Sequence, residues 1–370
     1  MLVSLALGLA LLQQAVPDTD TTLAVQPGAR LVMNLATGDV KLRTWDRAQV
    51  RVQARHSSRT TVVVRTEGAV VRIEVRGRMG MPSSTDLDLT IPAGMAADLE
   101  GMSLSVDASG MRGALKIGAL QGDVTVRDGA ELDLSVMNGD LIVDGSRGRA
   151  RLSTASGRIT ATAVQGDISA EAISGDVGLY RIESSRVDVE VVSGEVIFQG
   201  AVRDGGSYVL GSHSGSVTFG MPASANATVN TATFSGNLSA SFSMPSVEER
   251  SRSRRTVRFG SGSAIVELES FSGRIRLVRP DEVPDHSQRR DPSHEWEWND
   301  DADLGLDLLH DLDLSGLSGL ASLGQVGVDV ATIVPSITWN LQRNLNLLGN
   351  LRLGLRARGE SRPPLDRKER

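Results

Sequence analysis

The chain has no cysteine, so neither a disulfide nor a thiolate metal site can contribute to its fold or chemistry. Aromatic residues are scarce, at 3% of 370 positions, and a core must be assembled from the Val, Leu, Ile and Ala within the 40% hydrophobic content. No apolar run reaches the roughly 20 residues of a comfortable membrane-spanning helix. A net charge of −6 gives no general attraction to nucleic acid. There is no Gly-x-x-x-x-Gly-Lys-Ser/Thr loop to cradle a phosphate. The nearest approach to a nucleophile elbow, Gly211-Ser212-His213-Ser214-Gly215, is read as a glycine and serine corner because no helical pattern follows it.

What the chain has in quantity is glycine, 39 residues of it. Much of that glycine recurs in one phrase, a glycine, a small polar or charged residue, then an aliphatic residue that opens an alternating run. The copies begin at Gly122, Gly139, Gly157, Gly166, Gly175, Gly194, Gly215, Gly236 and Gly273. Their shortest spacing corresponds to one corner and one short strand, and the longer spacings to two or four such units. A unit of that size cannot bury its apolar edge alone, and stacking copies does so, which predicts an all-β fold built as a β-solenoid. Alternation places Val124, Val126, Leu134, Val136, Leu141, Val143, Ile159, Ile168, Val177, Leu179, Val189, Val191, Val196, Phe198, Val217, Phe219, Leu238, Val266, Leu268, Ile275 and Leu277 on the inner side. At each corner glycine supplies the strained backbone, and an Asp or Asn after it accepts a hydrogen bond from a nearby backbone N–H. Calcium-binding nonapeptides also carry Gly and Asp, but they need a doubled glycine and a constant Asp. Here the second position runs through Asp, Arg, Glu, Ser and Asn, so no metal is assigned.

Before the repeat, period-two alternation runs from Ala29 to about Met102 and predicts half-buried strands, antiparallel or sandwich-like, with Glu67-Gly68 turning a hairpin. Arg30–Asn34 and Asp39–Thr44 read as a strand pair. Residues 1–15 hold an apolar run, Leu2–Leu12, of the size of a secretory signal, with Ala15 as the cleavage edge. No Lys or Arg precedes that run, and Gln13 stands where a small residue is usual. Within the 37-residue spacing before Gly273, Glu248–Arg255 is a charged excursion read as a hairpin tip or solvated loop. Residues 281–313 contain 12 Asp or Glu against two Arg and read as an acidic linker. His294-Glu295-Trp296-Glu297-Trp298 with Asp300 and Asp301 lacks the spacing that puts two imidazoles on one helix face. The expected division is a signal peptide at 1–15, an N-terminal strand region at 16–103 and a solenoid at 104–280. An acidic linker at 281–303, a Leu-rich segment at 304–356 and a disordered tail at 357–370 complete it.

Three passages carry a resemblance. They are Gly38-Asp39-Val40-Lys41-Leu42-Arg43-Thr44-Trp45-Asp46-Arg47 followed by Val50-Arg51-Val52, the strand Leu87–Ile91 ending in Pro92-Ala93-Gly94, and the repeat at its clearest in Ile173-Ser174-Gly175-Asp176-Val177. In that order, from about Val40 to Val278, the chain resembles the putative-adhesin family of exported bacterial envelope proteins. The resemblance implies a β-solenoid in the periplasm, cell envelope or outside the cell, and it supplies no catalytic residue. The function expected is non-enzymatic, an adhesin-like binding or scaffold module with no cofactor, whose partner is a surface or envelope protein or glycan. Two alternatives stand beside it. Open solenoid ends are sheet edges that invite self-association at a membrane. A polysaccharide-binding or polysaccharide-cleaving β-helix would need two carboxylates across a sugar, with Asp167 and Asp176 as the candidates, and aromatic platforms. For platforms the repeat offers only Tyr180 and Tyr208, since Trp45, Trp296, Trp298 and Trp339 lie outside it.

Overall fold

The computed structural model describes residues 19–78, 83–245, 247–249 and 254–286. The segments at 1–15 and 304–370, and all but the first six residues of the acidic linker, lie outside the described residues. Six strands precede the regular stack: β1 (Thr19–Ala24), β2 (Arg30–Trp45), β3 (Gln49–Arg55), β4 (Thr60–Glu67), β5 (Val70–Gly77) and β6 (Asp86–Pro92). Then come β7 (Ala96–Ser109), β8 (Leu115–Gln121), β9 (Val124–Gly129), β10 (Leu132–Asn138), β11 (Leu141–Ser146), β12 (Ala150–Ser156) and β13 (Ile159–Val164). The stack continues through β14 (Ile168–Ser174), β15 (Val177–Ile182), β16 (Arg186–Ser193), β17 (Val196–Gly200), β18 (Ser207–Ser214) and β19 (Val217–Gly220). The last strands are β20 (Ala227–Thr233), β21 (Leu238–Ala240), β22 (Val247–Glu249), β23 (Arg254–Phe259), β24 (Ala264–Ser270) and β25 (Ile275–Val278). A 3-10 turn, Pro280–Glu282, follows. Among the described residues no helix is long and apolar enough to cross a membrane.

Each coil contributes two strands, one to each of two parallel ladders. The first ladder runs β8, β10, β12, β14, β16, β18 and the second runs β9, β11, β13, β15, β17, β19. Their inward rows meet in a single apolar core. The expected inward residues are buried, and only Leu238 is half-buried, because among the described residues β21 ends its ladder with β25 as its one neighbour. Phe198, Phe219 and Tyr208 fill the late coils, with the two Phe rings stacked at 4.7 Å. The shortest glycine spacing is thus half a coil, one strand and its corner.

A row of glycines holds the coils at one corner. A Cβ on Gly157 would fall 2.1 Å from the carbonyl oxygen of Gly139, one on Gly175 would fall 1.9 Å from that of Gly157, and one on Gly194 would fall 2.0 Å from that of Gly175. The φ angles of the three, 139°, 143° and 152°, are also ones that L side chains rarely adopt. Gly166 stands apart from this row. Its nearest neighbour is Gly148 at the opposite corner, so the nine phrases divide between two corners of the coil.

Two features differ from the sequence reading. Arg30–Asn34 and Asp39–Thr44 do not pair with each other, since both belong to the 16-residue strand β2, which pairs in parallel with β7 along its length. The alternation is that of paired strands, but Gly38 bends the chain without reversing it. β2 also pairs in parallel with β5 and β6, while β1–β3, β3–β6 and β4–β5 are antiparallel. At the far end the chain order breaks. β24 and β25 stack directly on β18 and β19, and the earlier coil β20–β21 sits outside them. The charged excursion lies there, its flanks being the antiparallel hairpin β22–β23 on β20.

Glycine at the corner predicts a sharp contrast between two glycine-to-alanine changes. Gly175→Ala should lower stability by about 2–4 kcal/mol, because the clash is with backbone. Gly118→Ala, whose Cβ would meet open space, should stay within about 0.5 kcal/mol of the parent. Urea unfolding of both variants measures the difference.

Candidate functional site

With the inner rows occupied by the core, the outer surface is where chemistry can reside. The corner carboxylates are used structurally. The backbone N–H of Asp140 donates to Asp123 Oδ1 at 2.8 Å, that of Arg158 to Asp140 Oδ1 at 2.6 Å, and that of Glu195 to Asp176 Oδ1 at 2.8 Å. The expected Asp acceptor is therefore present, but it reaches the next coil instead of its own turn. Asp167 and Asp176 do not stack on each other, for they lead into β14 and β15 from opposite corners.

On the outer face of the first ladder, parallel register sets Glu171 of β14 directly beside Glu190 of β16, with Asp188 two residues before Glu190 on the same side. Parallel strands keep such side chains about 5 Å apart. Burial, then Glu190, then Asp188 push the Glu171 carboxyl up to about 7. The Glu190 carboxyl is raised as well, by burial and then by Asp188. A group of this kind can hold a proton near neutrality, yet the described residues bring no metal-ligand cluster together.

A second row runs along the same face, two residues before each corner glycine. By register it reads Leu120, Met137, Ala155, Ile173, Val192, His213, Phe271 and Phe234. Its last three rings are stacked, His213 on Phe271 at 4.9 Å and Phe271 on Phe234 at 4.9 Å, nearly parallel in both pairs. Phe271 is 50% exposed and Phe234 76%. Earlier in the row Ile173 is covered to 3% exposure, Ala155 to 6%, Leu120 to 7% and Val192 to 8%, with Met137 among them half-buried, although none of the four belongs to the central core. The row was readable in the sequence as an apolar residue two places before each corner glycine. Strand alternation hides it, because it lies on the outer side where apolar residues are not sought.

The Toastrack DUF4097 family model matches residues 29–278. The chain belongs to this family. The match agrees with the resemblance drawn from about Val40 to Val278, and it takes in the parallel stack from β2 to β25. No curated protein matches the sequence. Among solved structures, a putative adhesin from Parabacteroides distasonis is 12% identical, with 70% of this chain and 96% of that one covered at a TM-score of 0.39. A putative adhesin from Parabacteroides merdae is 9% identical, with the same shares covered and a TM-score of 0.39. A putative cell adhesion protein from Clostridium sporogenes is 10% identical over 70% of this chain and 99% of that one, with a TM-score of 0.19.

The remaining sequence candidates of this Toastrack domain separate plainly. Tyr180 and Tyr208 are both buried and cannot serve as open platforms. The Tyr208 hydroxyl donates to Ser184 O at 2.9 Å and accepts the Arg203 N–H at 2.8 Å. Trp45 bonds through Nε1 to Gln49 O at 2.7 Å and carries Arg47 over its ring. Gly211–Ser214 are the last four residues of β18, and only Gly215 stands at the corner before β19, so the phrase runs strand to strand. The segment His294–Asp301, Trp339 and the tip at 250–253 lie outside the described residues.

The raised Glu171 and Glu190 carboxyls give a pH signature. Their folded-state values lie above the unfolded ones, so the stability linked to their protons is complete below about 4.5 and is lost as the pH rises through about 7 for Glu171. Glu171→Gln should flatten this decline and raise the unfolding midpoint at pH 8 relative to the parent. Thermal unfolding between pH 4 and pH 8 provides the measurement.

Proposed function

We propose that this Toastrack domain is an exported, non-enzymatic adhesin-like module that binds a surface or envelope partner, protein or glycan, through the C-terminal part of its outer face. One observation supports the reading above the others, the stack of His213, Phe271 and Phe234 at the ends of β18, β24 and β20, with both Phe rings open to solvent. Aromatic rings are scarce in this chain and dominate contact energetics where they occur, so placing them flat and exposed costs solubility unless something covers them. A parallel ladder fixes their spacing, and a flat aromatic strip suits a sugar face or an apolar protein surface. Replacing Phe234 and Phe271 together by Ser should weaken binding to isolated cell-surface material at least about thirtyfold while the circular dichroism spectrum stays unchanged. Equal binding by the double variant would reject the reading.

Self-association is a second reading, favoured by β4. This eight-residue strand pairs among the described residues with β5 alone, and its Val62-Val63-Val64 run lies at the sheet edge. The opposite end is better protected, with the β22–β23 hairpin on one ladder and the three-residue β21 on the other. Sedimentation velocity should then show a concentration-dependent species that Val63→Lys removes.

A further inference from the structure

The chain leaves the last coil and turns back over the outside of the second ladder. Pro280 O accepts a hydrogen bond from Gln199 Nε2 at 2.8 Å. Val283 packs on Tyr180 and Ile197, in a place that only Gly220 leaves open, since a Cβ there would lie 2.4 Å from Val283 Cγ2. The His286 N–H then reaches the Tyr180 hydroxyl at 3.2 Å. Residues 279–286 thus form a strap that crosses β19, β17 and β15 in turn, heading toward the first coils. The chain passes out of the described residues on the flank of the solenoid and not at its end.

Around the glycine corner, on the first ladder, lies the outer aliphatic row. Rows above and below, about 4.8 Å distant, shield such a side chain on two sides only. The same row shows what an uncovered position looks like at Phe271 and Phe234, yet at Leu120, Ala155, Ile173 and Val192 it is buried and at Met137 half-buried. We infer that the Leu-rich segment 304–355 of this same chain is the cover of that row. The segment has the chemistry required, with alternating apolar stretches at Val326–Val330, Ile337–Leu341 and Leu351–Leu355. It also has the reach. The 17 residues from 287 to 303 extend to about 56 Å at roughly 3.3 Å each, and the row from Leu120 to Val192 spans four coil spacings, about 19 Å. A tethered occupant acts at an effective concentration in the millimolar range, well above that of a second copy. The strap directs the chain toward the coils of the aliphatic part, and the aromatic end of the row is left for an outside partner.

Absence of native cysteine allows a direct test in the full-length chain. Ile173→Cys is combined, in separate variants, with Leu308→Cys, Val328→Cys, Leu341→Cys or Leu353→Cys, and each is oxidised at low protein concentration. Ala155→Cys replaces Ile173→Cys if the latter does not fold. At least one pair should close as an intramolecular disulfide, seen as a mobility shift that reductant reverses. The single variant Ile173→Cys should react with a maleimide at least about tenfold more slowly than the single variant Phe234→Cys. Equal reaction rates, four open pairs, or a covalent dimer in place of an intramolecular link would each overturn the assignment, the last by giving the row to a second copy.

Discussion

The whole stack depends on a clearance. At one corner of every coil the backbone of one turn passes so close to the carbonyl of the turn before that no Cβ fits between them. This contact lets the parallel ladders continue around the bend, with Gly157 N–H donating to Ser174 O and Gly175 N–H to Ser193 O as though the strand had not turned. Hydroxyls on the inner side complete the arrangement. Ser212 Oγ donates to Gly194 O and Ser270 Oγ to Gly215 O, so the corner carbonyls are satisfied where the ladder cannot serve them. The residue after the glycine is much less constrained, since it faces out. An Asp there adds one bond to the next coil, and an Arg or Ser forgoes it.

Hydrophobic burial and the corner divide the labour. Inward rows of Val, Leu and Ile supply a dry core along the axis, and a large residue in one coil is matched by its neighbours, as Phe198 is by Phe219. The left-handed kink late in the second-ladder strands is less strictly coded. Asp128, Gly145, Ala163 and Arg181 occupy equivalent positions with φ between 52° and 84°, and only one of the four is glycine. Without a clash a strained φ alone is tolerated, at a cost of about 1–2 kcal/mol per site. Clash, more than φ, is therefore what selects glycine in this fold.

The same distinction explains what could be read in advance. The repeat, its half-coil unit and the inward residues follow from alternation and from glycine, both local signals. The Glu67-Gly68 hairpin is local too, and it is present between β4 and β5. Three features were not legible, because each depends on what lies beside a residue in space. Gly166 carries the same phrase as Gly157 and Gly175 but stands at the other corner, and only the stacking separates them. The last coil inserts ahead of its predecessor, which the wide spacing to Gly273 hints at without specifying order. Asp167 and Asp176 look like stacked neighbours by spacing and lie on different ladders.

The outer apolar row carries this argument furthest. A solenoid with one dry face and one wet face needs apolar residues only on alternate positions, and most of this chain obeys that rule. The row from Leu120 to Phe234 breaks it at the same place in every coil, so it is a property of the ladder and not of one residue. Repetition turns a single tolerable exposed side chain into a continuous strip, which is the form in which exposed apolar surface becomes costly. Its composition also changes along its length, aliphatic where it is buried and aromatic where it is open. Aliphatic rows suit a close, permanent cover, whereas stacked rings suit a surface that must stand in water and still bind. The strap at 279–286 crosses the second ladder from β19 to β15 and so carries the chain from the coil of His213 toward the coils of the aliphatic part, and the two halves of one row are suited to two different occupants.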